Sequence, residues 1–365
     1  MPSERLSPEL FALPVDAIRE GFYTDAYFNG ARTVLEVQDL HPRVTMQVFQ
    51  KREGSVLCGM DEALAVLRLC AGRYVDDGGA RRWESGWDGL VVHALHDGDE
   101  IEPWETVLTV EGDYALFAHL ETVYLGLLSR RTLIASNVRH TVRAAAGKPV
   151  LYFPARFDHY AVQPGDGHAA HVGGVGGVST DAQGAWWGGE GIGTVPHALI
   201  AACGGDTVEA VRRFADVHYP RVNVVALVDF DNDCVATSLA CARALGERLW
   251  GVRLDTSETL VDRSLWGTMG SFRPVGVAPE LEREVRRALD AEGFRSVRIV
   301  VSGGFDADRI ARFEAQGVPV DAYGVGSSLL RGATDFTADV VQLDGGPCAK
   351  VGRVFRPNPR LERVR

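Results

Sequence analysis

From about residue 150 the chain repeats one pattern: a short apolar run, a polar or glycine-rich tip, then a helical stretch. The runs are Val150–Pro154, Ala169–Val172, Val222–Val228, Leu249–Leu254, Val297–Val301 and Val320–Tyr323. They are short, β-branched and continuous rather than alternating, as parallel strands buried on both faces are. Intervening helices are predicted at Thr207–His218, Ala236–Glu247, Pro279–Glu292 and Ala307–Gln316, with Pro279 in a favoured first-turn position. This alternation leaves a parallel α/β barrel or a doubly wound sheet. The polar residues favour the barrel. Arg156, Asp158, Asp229, Asp231, Arg253, Asp255, Ser302, Gly303 and Gly304 fall just after apolar runs, where a barrel builds its active site. A doubly wound fold more often carries its glycine-rich loop after the first strand, and here the glycine-rich tips come late.

The chain before this pattern has another character. Thr33–Phe49 alternates apolar and polar residues and predicts a half-buried strand. Gly59–Cys70 predicts an amphipathic helix, and Val91–Val110 holds strand candidates broken by Asp97-Gly98-Asp99. Leu116–Ala146 reads as one long helix. After Ala338 the strand-like runs Val340–Leu343 and Ala349–Phe355 are expected to pack back on the N-terminal part. The expected domains are residues 1–113, 114–337 and a returning segment 338–365.

Bulk properties exclude some functions. With 365 residues the chain is long enough to bury a large core without staples. A net charge of −11 argues against nucleic-acid or membrane-surface partners, which are themselves negative. It leaves room for a small phosphorylated ligand held by local groups. Cys58, Cys70, Cys203, Cys234, Cys241 and Cys348 form no Cys-x-x-Cys pair and no zinc spacing, so free thiols in a reducing compartment are expected. There is no signal-peptide pattern and no run approaching the ~18 apolar residues of a membrane helix. The expected location is the cytoplasm.

Two late tips suit a phosphate. Ser302-Gly303-Gly304 follows one apolar run, and Gly324-Val325-Gly326-Ser327-Ser328 follows the next. Glycine lets backbone N–H groups approach an anion, and barrels often bind phosphate after their last two strands. Two tight turns needing positive φ would look the same. Asp229, Asp231 and Asp233 alternate at another tip, where they suit ribose hydroxyls, water-mediated Mg²⁺ or helix capping. Arg253 and Asp255, two apart on a strand, point to one face. They suit a substrate carboxylate and a ribose hydroxyl, or a structural salt bridge. His197 follows Gly-Ile-Gly-Thr-Val-Pro in the first turn of a predicted helix. A helix start disfavours imidazolium and leaves a nucleophilic ring nitrogen. His159, His168 and His171 are too unevenly spaced for a metal set, and Trp186-Trp187 reads as core or interface. The tail Arg360–Arg365 reads as solvated.

Taken together, these stretches resemble the nicotinate phosphoribosyltransferases, a family of type II phosphoribosyltransferases. The matching segments are Tyr23–Tyr27, Ser129–Arg143, Ala155-Arg156, Gly173–Asp181, Gly193–His197, Asp229–Asp233, Gly251–Ser257, Val301–Asp306 and Gly324–Leu329. The resemblance implies an open seven-stranded α/β barrel of the quinolinate-phosphoribosyltransferase type, with an N-terminal α/β sandwich domain. It implies that nicotinate and phosphoribosyl pyrophosphate give nicotinate mononucleotide and pyrophosphate, coupled to ATP hydrolysis with Mg²⁺ on the phosphates. It implies a homodimer or larger homo-oligomer. By the same resemblance, His197 is expected to be the phosphorylated histidine; for the reaction it implies, Asp229 or Asp255 is expected to hold ribose hydroxyls and favour the positive charge developing at C1. Tyr27, Arg156, Thr194 and Arg253 are expected at nicotinate. Ser302, Gly303, Gly304, Gly326 and Ser327 are expected at the ribose donor, with serine where the family usually has threonine. Phe157 stands where a second arginine is common, and no zinc element is expected. The rival readings are a decarboxylating quinolinate phosphoribosyltransferase, whose dicarboxylate calls for more cations than Lys51, Lys148 and Lys350 provide, and a non-catalytic barrel that binds a phosphorylated metabolite.

Overall fold

A computed structural model describes residues 4–270, 272 and 274–365. It divides into two compact units, Met1–Ser136 with Gly332–Arg365, and Asn137–Arg331. The first division falls inside the long helix Glu121–Ala144, later than the sequence boundary at 113/114.

The second unit is the α/β barrel. Its parallel sheet runs in the order Val224–Leu227, Leu249–Leu254, Arg298–Val301, Ala322–Val325, Val150–Tyr152, Gly177–Val178. Val224–Leu227 and Ala322–Val325 are buried at every residue, which is why their sequences do not alternate. Aspartates start the helices, Asp233 and Asp306 after strands and Asp206 after the helix His197–Ala202: each accepts a backbone N–H at the head of Cys234–Leu245, Ala307–Ala315 and Thr207–His218. The seventh position is filled by an extended segment without regular pairing. Gly191 bridges Val178, and the Ile192 N–H donates to Val178 O at 2.8 Å. The Val195 N–H donates to Val225 O at 3.2 Å, so this segment reaches both ends of the six-stranded sheet.

One expected strand is a helix. Ala169–Val172 lies within Gln163–Gly173, which starts with a proline in its first turn and buries Ala169 and Ala170 on one face. Four apolar or neutral residues fit a helical stripe as well as a strand, and the strand is the two-residue Gly177–Val178 instead.

In the other unit the sheet order is Gly346–Pro347, Phe336–Leu343, Arg43–Gln50, Leu108–Asp113, Val91–Ala94, Glu362–Arg363. The C-terminal segment returns as Phe336–Leu343, with Val48 opposite Ala338, and as Glu362–Arg363 beside Val91–Ala94, whereas the expected strand at Ala349–Phe355 is a turn and irregular chain. The predicted strand Thr33–Phe49 is corrected in two ways. Its first part belongs to the helix Ala26–Val37, where cooperative extension from the preceding turn outweighs the β-branched residues. The strand Arg43–Gln50 is buried beyond its first residue because it has a strand on each side and a core to cover, including Leu67 and Val92. No described helix is long and apolar enough to cross a membrane.

Candidate active site

Parallel strands all point one way, so the residues that follow them gather at one end of the barrel. The exits of Val150–Tyr152, Leu249–Leu254, Arg298–Val301 and Ala322–Val325 enclose a cavity of about 340 Å³. Arg156, Arg253, Asp255, Ser302, Gly303, Gly304, Gly326 and Ser327, all anticipated from the sequence, line it.

Arg253 organises this wall. Its Nε donates to Ser302 Oγ at 2.7 Å, its Nη1 donates to Thr194 Oγ1 at 3.2 Å, and its Nη2 lies 3.3 Å from Asp255 Oδ2. The Ser302 hydroxyl donates onward to Asp255 Oδ1 at 2.6 Å. The Phe153 ring centre lies 5.3 Å from the guanidinium carbon, within cation–π range. A planar fork with this many partners has one orientation, so the cation is held before any ligand arrives.

The Ser302-Gly303-Gly304 turn requires its glycines. Gly303 and Gly304 have φ of +84° and +67°, a region that costs other residues strain. A Cβ on Gly303 would also stand 3.2 Å from Asp255 Oδ1. Arg309 braces the turn, donating from Nη1 to Gly303 O and from Nη2 to Val277 O, both at 2.8 Å. Burial pulls the Arg309 pKa down from its usual value, and the Phe305 ring lies 4.2 Å from its guanidinium carbon. Gly324 serves a different need: a Cβ there would meet Phe153 at 2.8 Å.

His197 opens the helix His197–Ala202, directly after Pro196. Its Nε2 lies 3.1 Å from Asp229 Oδ1, with the Asp229 side chain 9% exposed and that of His197 46%. Burial pushes the Asp229 carboxyl up against the opposing pull of His197, and the charge of Asp255 adds to the rise. His197 does not line the 340 Å³ cavity. Its segment is tied there by Thr194, three residues earlier, through the bond to Arg253.

Other expected residues fall elsewhere. Tyr27 belongs to the other unit, on Ala26–Val37, with its ring 67% exposed and its hydroxyl 3.4 Å from Asp25. Asp233 caps a helix, accepting the Ala236 N–H at 3.1 Å. Asp231 lines a separate groove with Asp206, Thr207 and Arg263. His159 accepts the Ala161 N–H, and His171 stacks on Trp187 at 4.4 Å. Sequence reasoning missed Phe153, Glu258, Phe305, Arg309 and Arg331. Phe153, Glu258, Phe305 and Arg331 line the cavity; Phe305 directly follows one glycine tip and Arg331 lies just beyond the other, a signal that could have found them, whereas Phe153 and Glu258 carry none.

Comparison with known proteins bears on this site. A family model for the N-terminal domain of quinolinate phosphoribosyl transferase matches residues 25–132. A nicotinate phosphoribosyltransferase of Mycobacterium tuberculosis is 32% identical over 267 residues, covering 71% of this chain and 55% of that protein. The chain thus spans about half the length of the curated relatives it matches. Among solved structures, nicotinate-nucleotide pyrophosphorylase from Pyrococcus furiosus is 34% identical, covering 93% of this chain and 79% of that one, with a TM-score of 0.76. Human nicotinic acid phosphoribosyltransferase has a TM-score of 0.66 at 18% identity, covering 91% of this chain and 77% of that one, a likeness of fold.

Proposed function

Because this chain belongs to the nicotinate phosphoribosyltransferase family, we propose that it joins nicotinate to the ribose of phosphoribosyl pyrophosphate, making nicotinate mononucleotide for NAD biosynthesis. The observation that carries this reading is the Arg253 fork: one guanidinium, held by Thr194, Ser302 and Asp255, beside two glycine tips in a single cavity. The cation suits an aromatic acid, the carboxylate suits ribose hydroxyls, and the glycine tips suit a phosphate.

In the reaction the pyridine nitrogen forms a bond to ribose C1 as the bond from C1 to pyrophosphate oxygen breaks. The electron pair of that bond leaves with pyrophosphate. Positive charge develops at C1, so the protein's work is positioning and charge stabilisation, for which Asp255 stands on the cavity wall. Asp255 and Glu258 offer hard carboxylate oxygens of the kind Mg²⁺ takes, and these two would hold the ion that accompanies the diphosphate. Bound there, Mg²⁺ offsets negative charge on the leaving group.

ATP coupling through His197 belongs to the same proposal. The bond to Asp229 occupies Nε2 and leaves the Nδ1 lone pair to take the γ-phosphoryl group, ADP departing. Later hydrolysis returns the free imidazole. Assembly as a homodimer or larger homo-oligomer is supported by Ala26–Val37, a helix that buries no residue in its unit and exposes Tyr27, Val34 and Val37. Sedimentation of the purified chain tests it.

The deciding experiment measures pyrophosphate release from nicotinate and the ribose donor, with and without ATP. Release that rises with ATP is expected. Competition among nicotinate, quinolinate and nicotinamide separates the rival substrates. Binding of the ribose donor without release would identify a non-catalytic barrel.

A further inference from the structure

We infer that Arg331 is the side-chain cation that holds the 5′-phosphate of the ribose donor. This rests on the reading just given and adds a residue to it. Three arginines line the cavity, Arg156, Arg253 and Arg331. Arg253 is engaged by Thr194, Ser302 and Asp255 and, on the reading just given, serves the nicotinate carboxylate. Arg156 stands by the exit of Val150–Tyr152, the strand beside Ala322–Val325, with its guanidinium carbon 5.6 Å from the Phe157 ring.

Arg331 is placed differently. It directly follows the turn Ser327–Leu330, which carries the serine tip. Its main chain is pinned: Asn137 Nδ2 donates to Arg331 O at 2.9 Å and to Leu329 O at 3.0 Å, and the Arg331 N–H donates to Ser328 O. The head, by contrast, makes no hydrogen bond or ion pair among the described residues. Arg331 also borders a second hollow of about 190 Å³ lined by Asn137, His140, Asp306 and Ser328, so its guanidinium has room to turn toward either side. A fixed root and a free, permanently charged head, next to glycine and serine tips, are what a phosphate needs for charge-assisted bonds. Ser328 cannot supply the contact, because its hydroxyl already donates to Phe305 O at 2.8 Å.

The test uses Arg331→Ala and Arg331→Lys in the full-length chain, with unfolding temperature checked for both. Titration with ribose 5-phosphate reads the subsite without any turnover. Steady-state rates read KM for the ribose donor and for nicotinate separately. Losing one charged contact should weaken ribose 5-phosphate binding and raise the ribose-donor KM roughly ten- to hundredfold. The nicotinate KM should stay near its original value, and lysine should restore part of the loss. Unchanged ribose 5-phosphate affinity in Arg331→Ala overturns the inference. A shift of both KM values together, or no rescue by lysine, overturns it as well and assigns Arg331 a structural role. A parent protein that binds ribose 5-phosphate but releases no pyrophosphate would overturn the proposed reaction and leave this subsite standing.

Discussion

Ser302 Oγ accepts from Arg253 Nε at 2.7 Å and donates to Asp255 Oδ1 at 2.6 Å, so one hydroxyl sets the spacing between a cation and an anion. Ser302 is 2% exposed, which leaves no water to replace it. Ser302→Ala should cost about 1–3 kcal/mol in urea unfolding, the penalty of unpaired buried groups. It should lower kcat/KM for both substrates, because the fork and the carboxylate lose their common reference. Unaltered stability and kinetics would show that the hydroxyl is dispensable.

The His197–Asp229 pair gives a prediction about coupling. His197→Ala should abolish stimulation by ATP and spare a slow ATP-independent reaction. Asp229→Asn should weaken stimulation by leaving the ring nitrogen without its anionic partner. Since burial raises the Asp229 carboxyl pKa, stimulation in the parent should fall off on the acid side at a higher pH than an ordinary carboxylate allows. That acid limb should be missing in Asp229→Asn. Rate against pH, with and without ATP, measures both, and full ATP stimulation in His197→Ala would end the assignment.

Gly303→Ala tests the phosphate tip. At φ +84° an alanine is strained by about 1 kcal/mol or more, and its Cβ would crowd Asp255 Oδ1. The ribose-donor KM should rise more than the nicotinate KM. Equal changes in the two would point to general misfolding instead of a lost subsite.

Glu282 makes a prediction about stability and pH. It lies on Pro279–Ala291, fully buried, and neither carboxyl oxygen has a hydrogen-bond partner among the described residues. Burial pushes its pKa from 4.5 to about 8, with Asp321 reinforcing the rise and Arg286, Lys148 and Arg283 opposing it. The folded state therefore binds the proton more tightly than the unfolded state. The stability this confers is whole below the unfolded value, declines above it, and is gone once pH passes the folded value near 8. Glu282→Gln keeps the shape without the charge. It should match the parent near pH 4 and exceed it near pH 9 by a few kcal/mol, on the order expected of such a shift. Urea unfolding at a series of pH values checks this, and a gap that does not widen with pH would contradict it.

Much of the barrel was legible because its cause is local. A strand covered on both faces must be apolar throughout, and the run at Val224–Leu227 shows that directly, while Leu249–Leu254 is interrupted only by Arg253 near its exit. The misread segments are those where periodicity is ambiguous. Ala169–Val172 is too short to separate a helical stripe from a strand, and Thr33–Val37 is drawn into a helix begun at Ala26. The seventh position at Gly191–Val195 gave no strand signal, since Gly191 and Gly193 interrupt its apolar residues and its pairing is sparse.

By itself the sequence determined which residues stand at strand exits, because burial of the strands leaves polar side chains only at their ends. The helices that begin after Asp206 and Asp306 were also local, since capping needs only a few neighbouring residues. Only the tertiary structure decided which exits meet. Arg253 reaches Ser302 and Thr194, 49 and 59 positions away, through the order and stagger of the barrel strands. It likewise tied up Arg253 and left the Arg331 head without a hydrogen bond or ion pair among the described residues, a contrast that position in the sequence does not reveal. Strand order and stagger arise from packing the whole sheet into a curve, and no local pattern along the chain records that.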